Sequence, residues 1–275
     1  MKKIKSSVVN ANGINLYYLD STANENTILC LHGKWGRCET WRDFIHRYKN
    51  RFRIIAPDQR GHGLSNKPVS RYAGEDFSRD AYELIKRVNC APVIVVGHSL
   101  GARNAAYLAA LYPQAVKLLV LLDTKADGPE KLSDIPPEKI LPIDQFTAGW
   151  PTPYSSYEEA VNDISKRFEK ESNIEYFRES LIETAEGYDF MFSRFAMSAM
   201  DIYYQRWYHI LDKIECPVLF VRAKESWYLS SEEALKMKEH IKNCTYFEIS
   251  NSDHMLYADN PNDFYPRFEQ FIKEV

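Results

Sequence analysis

The stretch Val93-Ile94-Val95-Val96-Gly97-His98-Ser99-Leu100-Gly101-Ala102 constrains the fold of this chain more than any other. An apolar run rich in β-branched residues stops at Gly97, and a helix-compatible run from Ala102 to Leu111 begins just after Gly101. A serine thus stands between a buried strand and a helix, with a glycine two residues to either side. Small flanking residues permit a turn sharp enough to lift the serine Oγ out of the strand's end, as in a nucleophile elbow. Ordinary strand-to-helix turns also match so short a pattern, so the rest of the chain must decide.

The surrounding segments alternate between strand and helix. Ser6 to Ala11 and Ile14 to Asp20 read as a hairpin closed by Asn12-Gly13, a strong turn signal. Thr27 to Leu31 is a short apolar strand running into His32-Gly33. Glu39 to Tyr48 carries Trp41, Phe44, Ile45 and Tyr48 at helical spacing, and Phe52 to Ala56 is a strand. Asp80 to Val88 reads as a helix, and Val116 to Leu122 as a strand after the elbow helix. Near-continuous apolar strands separated by helices imply a parallel sheet covered on both faces, an α/β fold.

After Asp123 the alternation stops. Prolines 129, 136, 137, 142, 151 and 153 mark an irregular entry, and amphipathic helical stretches without a buried strand run to Trp207. Strand and helix then resume with Pro217 to Val221, Glu232 to Ile241, Thr245 to Ile249 and a last helix from about Asn262. The simplest organisation is a core of residues 1–123 and 208–275, with a helical cap of residues 124–207 inserted after the sixth core strand.

A net charge of -3 argues against a nucleic-acid partner, which asks for a clustered basic surface. No apolar run approaches the roughly 18 residues that span a bilayer, and Met1-Lys2-Lys3-Ile4 does not lead into a signal-peptide core, so a cytoplasmic protein is expected. The five cysteines form no Cys-x-x-Cys pair, and there is no phosphate-cradling or dinucleotide motif. No metal and no cofactor are therefore expected, and nothing in the sequence signals an oligomeric state.

Ser99, His32-Gly33 and His254 all fall at carboxyl ends of strands, where open α/β sheets bind ligands. A neutral hydroxyl is a poor nucleophile and needs a base within reach, a role suited to histidine, which needs an acid to orient it. Four motifs carry a resemblance. They are Leu31-His32-Gly33, Asp58-Gln59-Arg60-Gly61-His62-Gly63-Leu64-Ser65, Gly97-His98-Ser99-Leu100-Gly101-Ala102, and Asp253-His254 followed by Asn260-Pro261. Together they resemble the α/β-hydrolase fold superfamily, in its cap-bearing serine ester hydrolase and meta-cleavage-product hydrolase type. The resemblance covers residues 6–123 and 208–275, and only the position and helical character of the cap.

The resemblance implies Ser99 as nucleophile, His254 as base, and the backbone N–H groups of Lys34 and Leu100 as an oxyanion hole. The side chain of Lys34 is expected to point to solvent, and His98 to pack beside the nucleophile rather than react. His62 belongs to a loop the family uses structurally, whereas His46, His209 and His240 are expected to be ordinary surface or core residues.

The acid departs from the pattern. Relatives carry an aspartate a few residues beyond the strand that here is Pro217 to Val221, but this chain has Arg222-Ala223-Lys224-Glu225-Ser226-Trp227. Asp123, closing its strand as in some branches of the superfamily, is preferred to Glu225, because a carboxylate at a strand's end is held rigidly. Asp253 is a weaker candidate.

The expected activity is hydrolysis of a carboxylic ester or lactone of a small, largely apolar substrate through an acyl-enzyme. Carbon–carbon bond hydrolysis by the same triad, and a receptor-like role with vestigial activity, remain open. The run Phe190, Met191, Phe192, Phe195, Met197, Met200, Tyr203, Tyr204 and Trp207 is expected mainly to build the core of the cap, with some members lining an apolar pocket.

Overall fold

The computed structural model describes residues 3–22 and 26–274. Met1 and Lys2, which open the segment read above as lacking a leader, lie outside them. The chain runs β1 (Lys5–Ala11), β2 (Ile14–Asp20), β3 (Thr27–Leu31), α1 (Arg42–Tyr48), β4 (Arg53–Pro57), α2 (Gly74–Arg87), β5 (Val93–His98), α3 (Leu100–Leu111) and β6 (Val116–Leu122). After β6 come α4 (Tyr157–Arg167), α5 (Glu171–Arg178), β7 (Leu181–Thr184), β8 (Gly187–Phe190) and α6 (Arg194–Ile202). The chain closes with α7 (Tyr208–Leu211), β9 (Val218–Ala223), α8 (Ser231–Glu239), β10 (Cys244–Ile249), α9 (Leu256–Asp259) and α10 (Pro261–Glu274).

Eight strands form one sheet in the order β1-β2-β4-β3-β5-β6-β9-β10. The pairs β1–β2 and β2–β4 are antiparallel, and every other pair is parallel. Asn12 and Gly13 both take positive φ, 52° and 78°, as the tight turn between β1 and β2 requires. All residues of β3 and β5 are buried, because helices cover both faces of the sheet.

Helix α2 begins six residues before the start read from the sequence. Its added first turn is held by Asp76, whose carboxylate accepts the Ala73 N–H at 3.0 Å. The helix buries Phe77, Ala81, Leu84 and Ile85 on one face, and Gly74 lies so close to Tyr107 of α3 that a Cβ would stand 2.6 Å from its ring.

The segment between β6 and β9 departs from the purely helical cap that the sequence predicts. It contains the antiparallel pair β7–β8, in which Leu181 faces Phe190. Strands of four residues barely show a period of two, and in the sequence Phe190 merges with the aromatic run that follows. Phe190, Phe192, Met197 and Met200 are buried in one cluster with the face of the sheet bearing Ile28, Val96 and Val120. Trp207, grouped with them by sequence, instead packs on the opposite cluster, 6.4 Å from Tyr107 of α3. Among the described residues no helix is long and apolar enough to cross a membrane.

Candidate active site

Ser99 sits between β5 and α3 with φ 54° and ψ −116°, a region a residue with a Cβ rarely occupies. Strain of this kind costs on the order of 1–3 kcal/mol and persists only where the surroundings enforce it. Here they do. A Cβ on Gly97 would lie 2.3 Å from the Gly101 carbonyl oxygen, and one on Gly101 would lie 2.1 Å from that of Leu31. The Ser99 N–H donates to the Leu122 carbonyl at 2.9 Å, and the Ala102 and Arg103 N–H groups donate to the Ser99 carbonyl.

The turn after β3 is fixed just as closely. Gln59 donates its backbone N–H to His32 Nε2 at 2.9 Å, so that nitrogen must be unprotonated and Nδ1 must carry the hydrogen, which goes to the Gly33 carbonyl at 2.8 Å. Burial pulls the pKa of His32 down to about 4, in keeping with a neutral ring. The Gln59 side-chain amide donates to the His32 carbonyl and accepts from Asn104 of α3, tying the turn to the elbow helix. Beneath it, the Asp58 carboxylate accepts the backbone N–H groups of Cys38 and Leu64, and Arg60 makes a buried two-point ion pair with Asp80. His62 is fully buried and its pKa is driven well down by burial, as befits a structural role for this loop.

Trp35 takes φ 67°, and its carbonyl accepts the Ser180 hydroxyl at 2.8 Å, while the Lys34 carbonyl accepts the Tyr176 hydroxyl at 2.9 Å. Two side chains from beyond β6 thus hold the two peptide units that directly follow the one bearing the Lys34 N–H. The N–H of Leu100 opens α3, where no residue of the helix can accept it.

The side chain of Lys34 corrects the sequence expectation. Rather than pointing to solvent, it is 15% exposed, with Nζ 2.7 Å from Asp201 and 3.5 Å from Asp144. These partners lie more than a hundred residues away in sequence, so no local pattern announces them.

Asp123 follows β6 and is completely buried, with φ 44°. One oxygen accepts the Ala223 N–H at 2.9 Å; the other accepts from His254 Nδ1 at 2.7 Å and from the Ser226 hydroxyl at 2.6 Å. Ser226, which with Trp227 stands where the family's usual acid is expected, therefore hydrogen-bonds the carboxylate supplied from the neighbouring strand. Its oxygen also accepts the Tyr228 and Leu229 N–H groups. Glu225 turns to the loop backbone, accepting the Ser252 N–H at 2.9 Å, and that bond holds its carboxyl below the usual range. Asp253 accepts the N–H of His254 and does not meet its ring nitrogens.

His98 Nε2 lies 2.8 Å from the His254 carbonyl and must donate to it, leaving Nδ1 buried and bare. Burial, with neighbouring His254, drives its pKa well down, so His98 is a neutral strut under the His254 loop. His46, His209 and His240 lie outside the cavity described next.

Ser99 and His254 share a cavity with two adjoining lobes. One, of about 330 Å³, is also lined by Gly33, Phe146, Phe168, Tyr176 and Phe177. The other, of about 440 Å³, is lined by Leu100, Arg103, Phe146, Met200, Tyr204 and Tyr228. Trp35 and Trp227 border both. Of the aromatic run singled out in the sequence, Met200 and Tyr204 reach this cavity. Tyr176 and Arg103 carry no motif signal in the sequence, and Ser226 reads there only as the lack of an acid. Among the described residues no cluster of His, Cys, Asp and Glu could hold a metal ion.

Residues 26–148 match the family described as alpha/beta hydrolase fold. The human serine hydrolase BPHL is 25% identical over 98% of this chain and 87% of its own length. The 2-(acetamidomethylene)succinate hydrolase of Mesorhizobium japonicum is 42% identical over 35% of this chain and 34% of its own length. Among solved structures, E-2-(acetamidomethylene)succinate hydrolase matches with a TM-score of 0.84 at 23% identity, over 98% of this chain and all 100% of that one. The enol-lactonase from Burkholderia xenovorans LB400 matches at 0.74 and 17% identity, over 97% and 100%. The chain has the α/β-hydrolase fold, and residues 26–148 carry the match to that family. Several of the similar proteins bear hydrolase names, among them a serine hydrolase, a putative esterase/lipase and an enol-lactonase.

Proposed function

We propose that this protein is a serine hydrolase that cleaves the carboxylic ester or lactone of a small, largely apolar molecule. In this reading Ser99 Oγ attacks the scissile carbonyl while His254 Nε2 takes its proton. Asp123 holds the opposite ring nitrogen and stabilises the imidazolium as it forms. The Lys34 and Leu100 N–H groups receive the oxyanion, a contribution of roughly 3 kcal/mol for each well-aimed donor. His254 then returns its proton to the departing alkoxide, and water hydrolyses the acyl-enzyme by the same steps. Residues 124–207 act as the cap over the site, and residues 1–123 and 208–275 as the core.

The 2.7 Å contact between Asp123 and His254 Nδ1, under a cavity that also holds Ser99, carries this reading. The vacant acid position in the sequence favours a receptor-like role, whereas the buried carboxylate on His254 Nδ1 favours the hydrolase reading. Among the hydrogen bonds of the described residues, none joins Ser99 Oγ to His254, and such bonds commonly tighten only when substrate is bound. The test is covalent labelling of Ser99 by a fluorophosphonate, with the Ser99→Ala variant as control, followed by a panel of p-nitrophenyl esters and lactones. Labelling confined to Ser99 together with ester turnover is expected. Absence of both would overturn the proposal.

A further inference from the structure

Arg103 is the feature of the cavity that the proposed chemistry leaves unused. It lies on α3, four residues after Ser99, and lines the 440 Å³ lobe together with Ser99, Leu100 and His254. Only 4% of it is exposed. An arginine so placed stays charged, and a buried charge ordinarily has a carboxylate beside it. The other cations of the cavity, all more exposed than Arg103, each have such a partner. Lys34 meets Asp201 at 2.7 Å, Arg167 meets Asp163 at 2.8 Å, and Lys170 meets Asp259 at 3.1 Å.

Arg103 has no ion pair among the described residues. Its Nε reaches Asn104 Oδ1 at a long 3.4 Å, and Nη2 is buried without any partner. The rings of Tyr204 and Phe77 stand 5.4 and 5.9 Å from the guanidinium carbon, close enough for cation–π attraction. Such contacts leave the hydrogen-bonding edge of the group free. The acidic residues of the same lobe, Asp144 and Asp201, are both drawn to Lys34.

We propose that Arg103 is the anchor for a carboxylate on the substrate, so that the ester or lactone cleaved at Ser99 carries a carboxylate a few bonds from its scissile carbonyl. A planar carboxylate matches the fork of the guanidinium with two parallel hydrogen bonds. With the carbonyl at the Ser99 and Leu100 end of the lobe and the carboxylate about one helical turn away, the bound molecule is fixed at two points. The apolar walls then hold the short chain between them. This inference rests on the serine hydrolase reading for the reaction, but not for the binding of the anion.

The experiment compares mono-p-nitrophenyl glutarate with p-nitrophenyl 5-methylhexanoate, in which an isopropyl group replaces the carboxylate. The wild-type protein is expected to favour the charged ester in kcat/KM by about tenfold or more, and Arg103→Met to lower the ratio of the two by about 100-fold. Arg103→Lys should fall between them, since it keeps the charge and loses the fork. Calorimetric titration of the Ser99→Ala protein with glutarate, with glutaramide and with inorganic phosphate reads the same site without turnover. Glutarate binding that Arg103→Met abolishes supports the proposal even if no ester is cleaved and Ser99 is not labelled, in which case the hydrolase reading alone fails. Turnover of both esters with a ratio unchanged in the Met and Lys variants, and no glutarate binding, overturns the anion site and leaves the hydrolase reading standing. Binding of phosphate without glutarate overturns the carboxylate assignment.

Discussion

Replacing Asp123 by Asn tests the acid with almost no change of shape. One carboxylate oxygen accepts the Ala223 N–H, so the amide oxygen must remain there, because an amide nitrogen would set donor against donor. That choice points the amide NH₂ at the other pair of partners, Ser226 and His254 Nδ1. The Ser226 hydroxyl, whose oxygen already accepts the Tyr228 and Leu229 N–H groups, loses its acceptor there. His254 can comply only by leaving Nδ1 unprotonated and moving its hydrogen to Nε2, the nitrogen that has to accept the proton of Ser99. This is a tautomer error with little loss of packing, and the comparable change in a serine protease costs roughly 10⁴ in kcat, or about 5 kcal/mol at the transition state. The expected result for Asp123→Asn is a loss of about 10⁴ in both p-nitrophenyl ester turnover and the fluorophosphonate labelling rate, with thermal unfolding still cooperative. Glu225→Gln should stay within about twofold, because Glu225 serves the loop backbone through Ser252. Retention of activity within tenfold in Asp123→Asn, or collapse in Glu225→Gln, refutes the reasoning.

Three further outcomes are expected. Tyr176→Phe removes the hydroxyl that donates to the Lys34 carbonyl, so kcat should fall roughly tenfold with little change in KM; steady-state kinetics showing a pure KM effect would contradict that account. Gly101→Ala forces a Cβ to 2.1 Å from the Leu31 carbonyl oxygen, and because that contact is backbone it should destabilise the fold by about 3 kcal/mol, read as a shift in the urea midpoint. Stability should also decline in mild acid, because burial holds His32 at about 4 against 6.5 unfolded. Between those values the unfolded chain binds a proton that the native ring refuses, so stability present above pH 6.5 is lost as pH falls toward 4. From pH 7 to pH 5 His32 alone accounts for about 2 kcal/mol, and His62 and His98, both held well down, add to it in the same direction. A urea midpoint independent of pH over that range would show that these rings are protonated in the native state.

The core was legible because its signals are local. Buried strands, the Asn12-Gly13 turn and the glycines around Ser99 each declare their geometry within a few residues. What escaped the sequence depends on partners far apart along the chain. The Lys34 side chain reads as a solvent-facing cation until Asp201 and Asp144 are brought to it. Ser226 reads as the absence of an acid, although it is a hydrogen-bond donor to one. The β7–β8 pair carries too few residues for its period to emerge beside Phe190. Arg103 left one trace: it stands in a helix buried from Leu100 to Ala109, with no polar face to receive a charge.

In the proposed triad, the position of the acid follows from the register of the sheet. His98 at the end of β5 is the parallel partner of Leu122 at the end of β6, and each strand passes one residue further to reach Ser99 or Asp123. The serine and the carboxylate therefore leave neighbouring strands at the same level, about one inter-strand spacing of 4.8 Å apart at the backbone. Both backbones are locked, through Ser99 N–H to Leu122 and Asp123 N–H to Val221, and both residues take positive φ at the same edge. An acid beyond β9 would instead be carried by a loop, and here that loop has only to supply the Ser226 hydroxyl that steadies the carboxylate. The histidine is thus the one member of the three delivered by a loop, and His98, adjacent to Ser99 on β5, grips its carbonyl. Two neighbouring strands and one buried imidazole suffice to set all three groups, which is why losing the usual aspartate need not cost the site its geometry.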